Sequence, residues 1–148
     1  MTTANSLNTL LAEGLKTLKL DLGIISNIYG ETYKVHLCEK NADERKTIVV
    51  SSGDQFELAQ SYCTDVIKEN ATKFYDDVAD ISEMLKHPCY LTTQLRAYIG
   101  TPVHVRGEIW GTLNYSSLVP RTALYSTTDI HFLETQAARC GEILSDQI

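Results

Sequence analysis

Trp110, Thr112 and Asn114 stand two apart along one stretch of chain, the spacing that puts side chains on one face of a β-strand. A wide aromatic ring beside a hydroxyl and a carboxamide suits a small-molecule site: apolar area gives affinity and a few polar groups give orientation. The stretch lies in YIGTPVHVRGEIWGTLNYSS, Tyr98 to Ser117, which reads as two strands turning at Arg106-Gly107. That pair can take the positive φ angles of a primed hairpin turn. With a two-residue turn Val103 pairs with Trp110 and Thr101 with Thr112, so Thr101, Val103, Trp110, Thr112 and Asn114 are expected on one face. The competing reading makes Trp110 core and has Thr112 and Asn114 satisfy nearby loop backbone. A register change of one residue would turn Trp110 toward the terminal helices instead.

Other residue sets point to less. His87 with Cys89, and His36 with Cys38, each stand two apart, but neither has a second pair at zinc-like spacing. Asp76, Asp77, Asp80 and Glu83 form the one dense acidic cluster. Helix-start chemistry accounts for it, with Asp80 or Ser82 capping a turn over Ile81 to Leu85. Cys38, Cys63, Cys89 and Cys140 lack CxxC spacing and read as free thiols, Cys140 as a small buried hydrophobe on an apolar stripe. No Ser-His-Asp order and no phosphate-cradling glycine loop appears. The expectation is a non-catalytic chain, and no cofactor is identified.

The 148 residues suffice for one domain burying roughly 70% of its unfolded surface. With 43% hydrophobic and 22% charged residues the composition is that of an ordinary globular protein. Nineteen acidic against 13 basic residues leave a net charge of −6, with Lys and Arg scattered, which argues against nucleic acid as a partner. No apolar run reaches membrane-spanning length and no signal segment is visible, so a cytoplasmic location is expected.

Two amphipathic helices, at about residues 6–19 and 126–146, must bracket the candidate strands. Leu7, Leu11, Gly14 and Leu18 define the first stripe; Ile130, Leu133, Ala137, Cys140 and Leu144 define the second, with Ser126 and Asp129 as a capping box. Leu22 to Tyr29 and Thr32 to Glu39 form a hairpin turning at Gly30-Glu31, with Tyr33, Val35 and Leu37 alternating against Lys34, His36 and Cys38. A charged loop over Asn41 to Lys46, a short strand over Thr47 to Val50, a helix over 56–68 and an edge strand near Phe74 follow. A short helix through Leu85 stops at His87-Pro88. The pattern predicts an α+β fold: a central antiparallel sheet with the N- and C-terminal helices on one face and irregular helices and loops on the other.

Thr101-Pro102-Val103, the glycine turn and Ile109-Trp110-Gly111-Thr112-Leu113 resemble the last sheet hairpin of GAF domains. Asp21 to Ser26 is similar to their first strand, and Gly53-Asp54-Gln55-Phe56 through Tyr62-Cys63 to their first cross-sheet helix. The resemblance covers nearly all of residues 1–148 as a single domain. It implies a regulatory sensing module of a bacterial signalling protein, with a lidded pocket over the sheet, an unidentified small-molecule ligand and output through the terminal helices. Tyr62 and Tyr90 would roof that pocket. Bilin-binding GAF domains follow their cysteine with His, whereas Cys89 is followed by Tyr90, and Asn70, Phe74, Asp76 and Asp77 do not reproduce the cyclic-nucleotide pattern. Two alternatives stand: a thiol enzyme resembling free methionine sulfoxide reductases, and a structural dimerisation module. Apolar stripes on both terminal helices, in excess of what one sheet face covers, predict a homodimer.

Overall fold

The computed structural model describes residues 3–41 and 48–147. Helix α1 (Thr3–Leu18) leads into β1 (Leu22–Tyr29) and β2 (Thr32–Lys40). Then come β3 (Gln55–Glu57), a 3-10 turn at Leu58–Gln60, α2 (Thr64–Glu69) and β4 (Lys73–Tyr75). After 3-10 turns at Val78–Asp80 and Ser82–Met84 come α3 (Pro88–Thr93), β5 (Ala97–Val105), β6 (Glu108–Ser117) and α4 (Thr127–Gln147). The strands make one antiparallel sheet in the order β3-β2-β1-β6-β5-β4.

The β5–β6 turn falls at Arg106 and Gly107, with φ of 53° and 83°, and Val105 pairs with Glu108 as a primed turn requires. Past His104–Ile109 the register slips, and Val103 faces Gly111. Trp110 is the extra residue, a bulge whose carbonyl accepts a 2.8 Å hydrogen bond from Asn27 Nδ2. Gly111 permits the distortion: a Cβ there would lie 1.8 Å from the Ser26 carbonyl oxygen. A second slip, between Ile25 and Ser26 of β1, leaves His36 extra on β2. Past it the parity of β2 changes, so Leu37 packs with the helices while Tyr33 and Val35 face the other way, and the simple alternation through Leu37 does not hold.

One apolar cluster joins α1 and α4 to the sheet, with Leu7, Leu11, Leu18, Leu113, Leu133 and Leu144 essentially solvent-free. Tyr115 on β6 ties the layers, its hydroxyl donating to the Leu11 carbonyl at 3.2 Å. The capping box forms: Ser126 N donates to Asp129 Oδ2 at 2.9 Å and Asp129 N to Ser126 Oγ at 3.1 Å. The homodimer expectation rested on a surplus of helical apolar surface. Among the described residues, none of the exposed large hydrophobics lies on α1 or α4.

A second cluster fills the opposite face beneath α2, α3 and their connections. Here the local expectations change. Gln55–Glu57 is an edge strand on Thr32–Lys34, so the helix expected over 56–68 shrinks to α2. Phe56 and Ala59 have helical spacing with Cys63, but pairing with β2 wins. Ile48–Val50 forms no strand, and Thr47 with residues 42–46 lies outside the described residues. The turn at Ser82–Met84 ends before His87, which is extended, and Pro88 then opens α3 in its first turn, where a proline's missing N–H costs nothing. Asp77, not Asp80 or Ser82, is the cap that accepts from Ala79 N.

Candidate ligand-binding cavity

Between the sheet and the α2–α3 layer lies a cavity of about 380 Å³. Ile24, Tyr33, Tyr98, Asn114 and Ser116 contribute its floor from four neighbouring strands. Tyr62 from the approach to α2, Cys89 and Thr92 from α3, and Leu95 form further wall. Val49 and Phe56 also line it while remaining 87% and 43% exposed, so its mouth is apolar.

Under this floor runs a buried polar network. Asn114 Nδ2 donates to the Tyr33 hydroxyl at 3.1 Å and to Thr112 Oγ1 at 3.0 Å. Thr112 Oγ1 lies 2.6 Å from Ser26 Oγ and 3.3 Å from Cys63 Sγ, and the Tyr98 hydroxyl lies 3.0 Å from that sulfur. A network of this kind fixes its members because a buried group that loses its partner pays the full desolvation cost. No hydrogen bond to Asn114 Oδ1 forms among the described residues, which leaves that oxygen as an acceptor at a cavity-lining side chain.

The titratable groups here are held neutral. Burial, the largest cause in each case, pushes the Tyr33, Tyr62 and Tyr98 phenols above their ordinary range and the Cys89 thiol to about 11. Burial likewise raises Cys38 and Cys63, and takes Cys140 to about 12. None of the four thiols has the depressed pKa of a reactive thiolate.

Helix α3 owes its start to His87, whose Nδ1 accepts from Cys89 N at 3.0 Å, while its ring lies 5.0 Å from that of Tyr62. Tyr62 in turn donates to the Leu95 carbonyl at 2.7 Å. His87 Nδ1 is thus occupied by the backbone. Among the described residues no three His, Cys, Asp or Glu side chains converge as a metal site.

Of the residues singled out in the sequence, Tyr62 and Asn114 line the cavity and Thr112 lies just beneath it. Thr101, Val103 and Trp110 do not share that face, because the bulge at Trp110 moves the β5 pairing by one. Val103 is in the helix-side core and Trp110 packs against it. Thr101 bonds Thr72 at 2.8 Å, which in turn bonds Glu134 of α4. Tyr90 packs into the lower core without lining the cavity. Tyr33, Tyr98, Ser116 and Cys89 were not singled out as cavity residues. For Ser116 the signal was present, since it follows Asn114 by two along β6; Tyr98 lies opposite Ser116 only in the register that the bulge at Trp110 creates.

Sheet, paired terminal helices and a cavity on the far face define an α+β domain. The GAF domain family model matches residues 4–144, so the chain belongs to the GAF family. Among curated proteins none matches the sequence. Solved structures agree in fold. The GAF domain of an Acinetobacter phosphoenolpyruvate-protein phosphotransferase is similar with a TM-score of 0.75 at 15% identity, over 99% of this chain and 84% of that one. The phycocyanobilin-bound GAF domain of a cyanobacterial phytochrome gives 0.77 at 12%, over 99% and 86%. The blue-light-absorbing form of the Thermosynechococcus elongatus PixJ GAF domain gives 0.73 at 14%, over 94% and 82%.

Proposed function

We propose that this chain is a sensory domain that binds a small molecule between its sheet and the α2–α3 layer and reports occupancy through α1 and α4. The observation that carries the reading is the cavity itself, about 380 Å³ over a polar network that ends at Asn114. Its size falls in the range of small-molecule sites. Coupling has a short route. Thr112 and Asn114 alternate along β6 with Leu113 and Tyr115, which pack in the terminal-helix core, so a shift of β6 is felt by α1 through the Tyr115–Leu11 hydrogen bond. A ligand that prefers one arrangement shifts the population by its differential affinity, typically about 1–3 kcal/mol of coupling.

The thiol-enzyme alternative lacks support, since burial raises the pKa of all four cysteines rather than lowering it. Phycocyanobilin, bound by one similar structure, is a poor fit here. A dicarboxylic tetrapyrrole is large for this cavity and would find no cation among its described lining residues. Native mass spectrometry after incubation with a small-molecule cell extract is expected to show an adduct that Thr92→Trp, at an exposed cavity-lining position of α3, removes. A chain that stays at its bare mass contradicts the reading.

A further inference from the structure

We propose that the cavity selects an uncharged, flat, largely apolar ring compound carrying one hydrogen-bond donor, which Asn114 Oδ1 accepts. The inference rests on the cavity being a ligand site and adds the class of ligand. Three observations carry it. First, no Lys, Arg, His, Asp or Glu lines the cavity among the described residues, so none of those residues would give a charged ligand a counter-ion for the water it loses. Second, the wall is aromatic: the Tyr33 and Phe56 rings stand 6.3 Å apart and the Tyr62 and Tyr98 rings 5.4 Å apart, with exposed Val49 and Phe56 at the mouth. Flat apolar rings match such surfaces by offset or edge contacts. Third, Asn114 has already committed its amide nitrogen to Tyr33 and Thr112, so its remaining capacity is that of an acceptor and calls for a donor.

The surroundings disfavour anions in particular. The burial that keeps the phenols of Tyr33, Tyr62 and Tyr98 protonated would act equally on a ligand carboxylate. The net charge of −6 adds a repelling field. Selection between two molecules of equal shape is then decided by charge.

The test is calorimetric titration of 2-naphthamide and 2-naphthoate, nearly isosteric probes that differ in charge and in the donor, into the wild-type chain and Thr92→Trp. The expected result is binding of 2-naphthamide at least tenfold tighter than 2-naphthoate, lost in Thr92→Trp. Equal or tighter binding of 2-naphthoate, still lost in Thr92→Trp, would overturn the ligand class while leaving the cavity as a site. Binding of neither probe by a chain that does retain an extract-derived adduct would also overturn the class. Probe binding unchanged by Thr92→Trp would place it elsewhere and overturn both.

Discussion

The rings of His36 and Trp110 meet nearly at right angles, centroids 5.2 Å apart, on the helix-covered side of the sheet. Each is the extra residue of a β-bulge, His36 on β2 where it pairs with β1 and Trp110 on β6 where it pairs with β5. Burial, then Lys34, lowers the His36 pKa below its ordinary 6.5. The fold therefore favours neutral imidazole, so this contribution to stability is complete above pH 6.5 and is lost as pH falls below it. An imidazolium in contact quenches indole emission, and Trp110 is the sole tryptophan. Its fluorescence is expected to drop on acidification below pH 6.5, and the step should vanish in His36→Gln; an unchanged step would place the quencher elsewhere.

Gly111→Ala should be among the most damaging small substitutions. The new methyl would meet the Ser26 carbonyl at 1.8 Å in the middle of the sheet, where neither strand can yield. A loss of about 3 kcal/mol is expected in urea unfolding. A loss below half that would show that the bulge can relax.

The strongest local signals were legible in the sequence. Arg106-Gly107 announced its turn, Ser126 and Asp129 their capping box, and the leucine stripe of α1 its buried face. These depend on neighbours within a few positions. The bulges do not. Trp110 is displaced because Asn27, 83 positions away, takes its carbonyl. A period-two reading from the turn therefore put Thr101, Val103 and Trp110 on the wrong side while placing Asn114 at the cavity. The helix expected over 56–68 failed for a related reason, since Gln55–Glu57 has partners only in β2. Tyr62 was recoverable through its place before α2, whereas Cys89 reaches the wall only because His87 caps the helix that carries it.

The His87 cap makes the cavity wall sensitive to pH. Burial lowers the His87 pKa, with Asp65 opposing, so neutral imidazole is favoured by the fold. Protonation puts a proton on Nδ1, the atom that accepts from Cys89 N, and abolishes the cap. The cap should be complete above pH 6.5 and fade below it, at a cost of about 1 kcal/mol to α3. Amide exchange across α3 should therefore accelerate below pH 6.5 beyond the intrinsic pH effect. His87→Asn, which keeps an acceptor that does not titrate, should remove that excess; its persistence would refute the capping role.

Asn114→Leu removes the carboxamide while keeping its approximate volume. The Tyr33 and Thr112 hydroxyls each lose a donor, with about 1–3 kcal/mol of destabilisation expected in thermal or urea unfolding. Affinity for 2-naphthamide should fall at least fivefold at a temperature where the variant is fully folded. Affinity that survives unchanged would mean Asn114 orients nothing.

The most direct test of the cavity as the ligand site is a two-dimensional amide NMR titration with 2-naphthamide. The account predicts shifts concentrated on the Asn114 side-chain amide and on the backbone of Tyr33, Cys89, Tyr98 and Ser116, with smaller changes reaching Leu11 through Tyr115. Shifts centred instead on Thr101, Glu134 and Gly141, the groove between β5 and α4, or none at all, would contradict it.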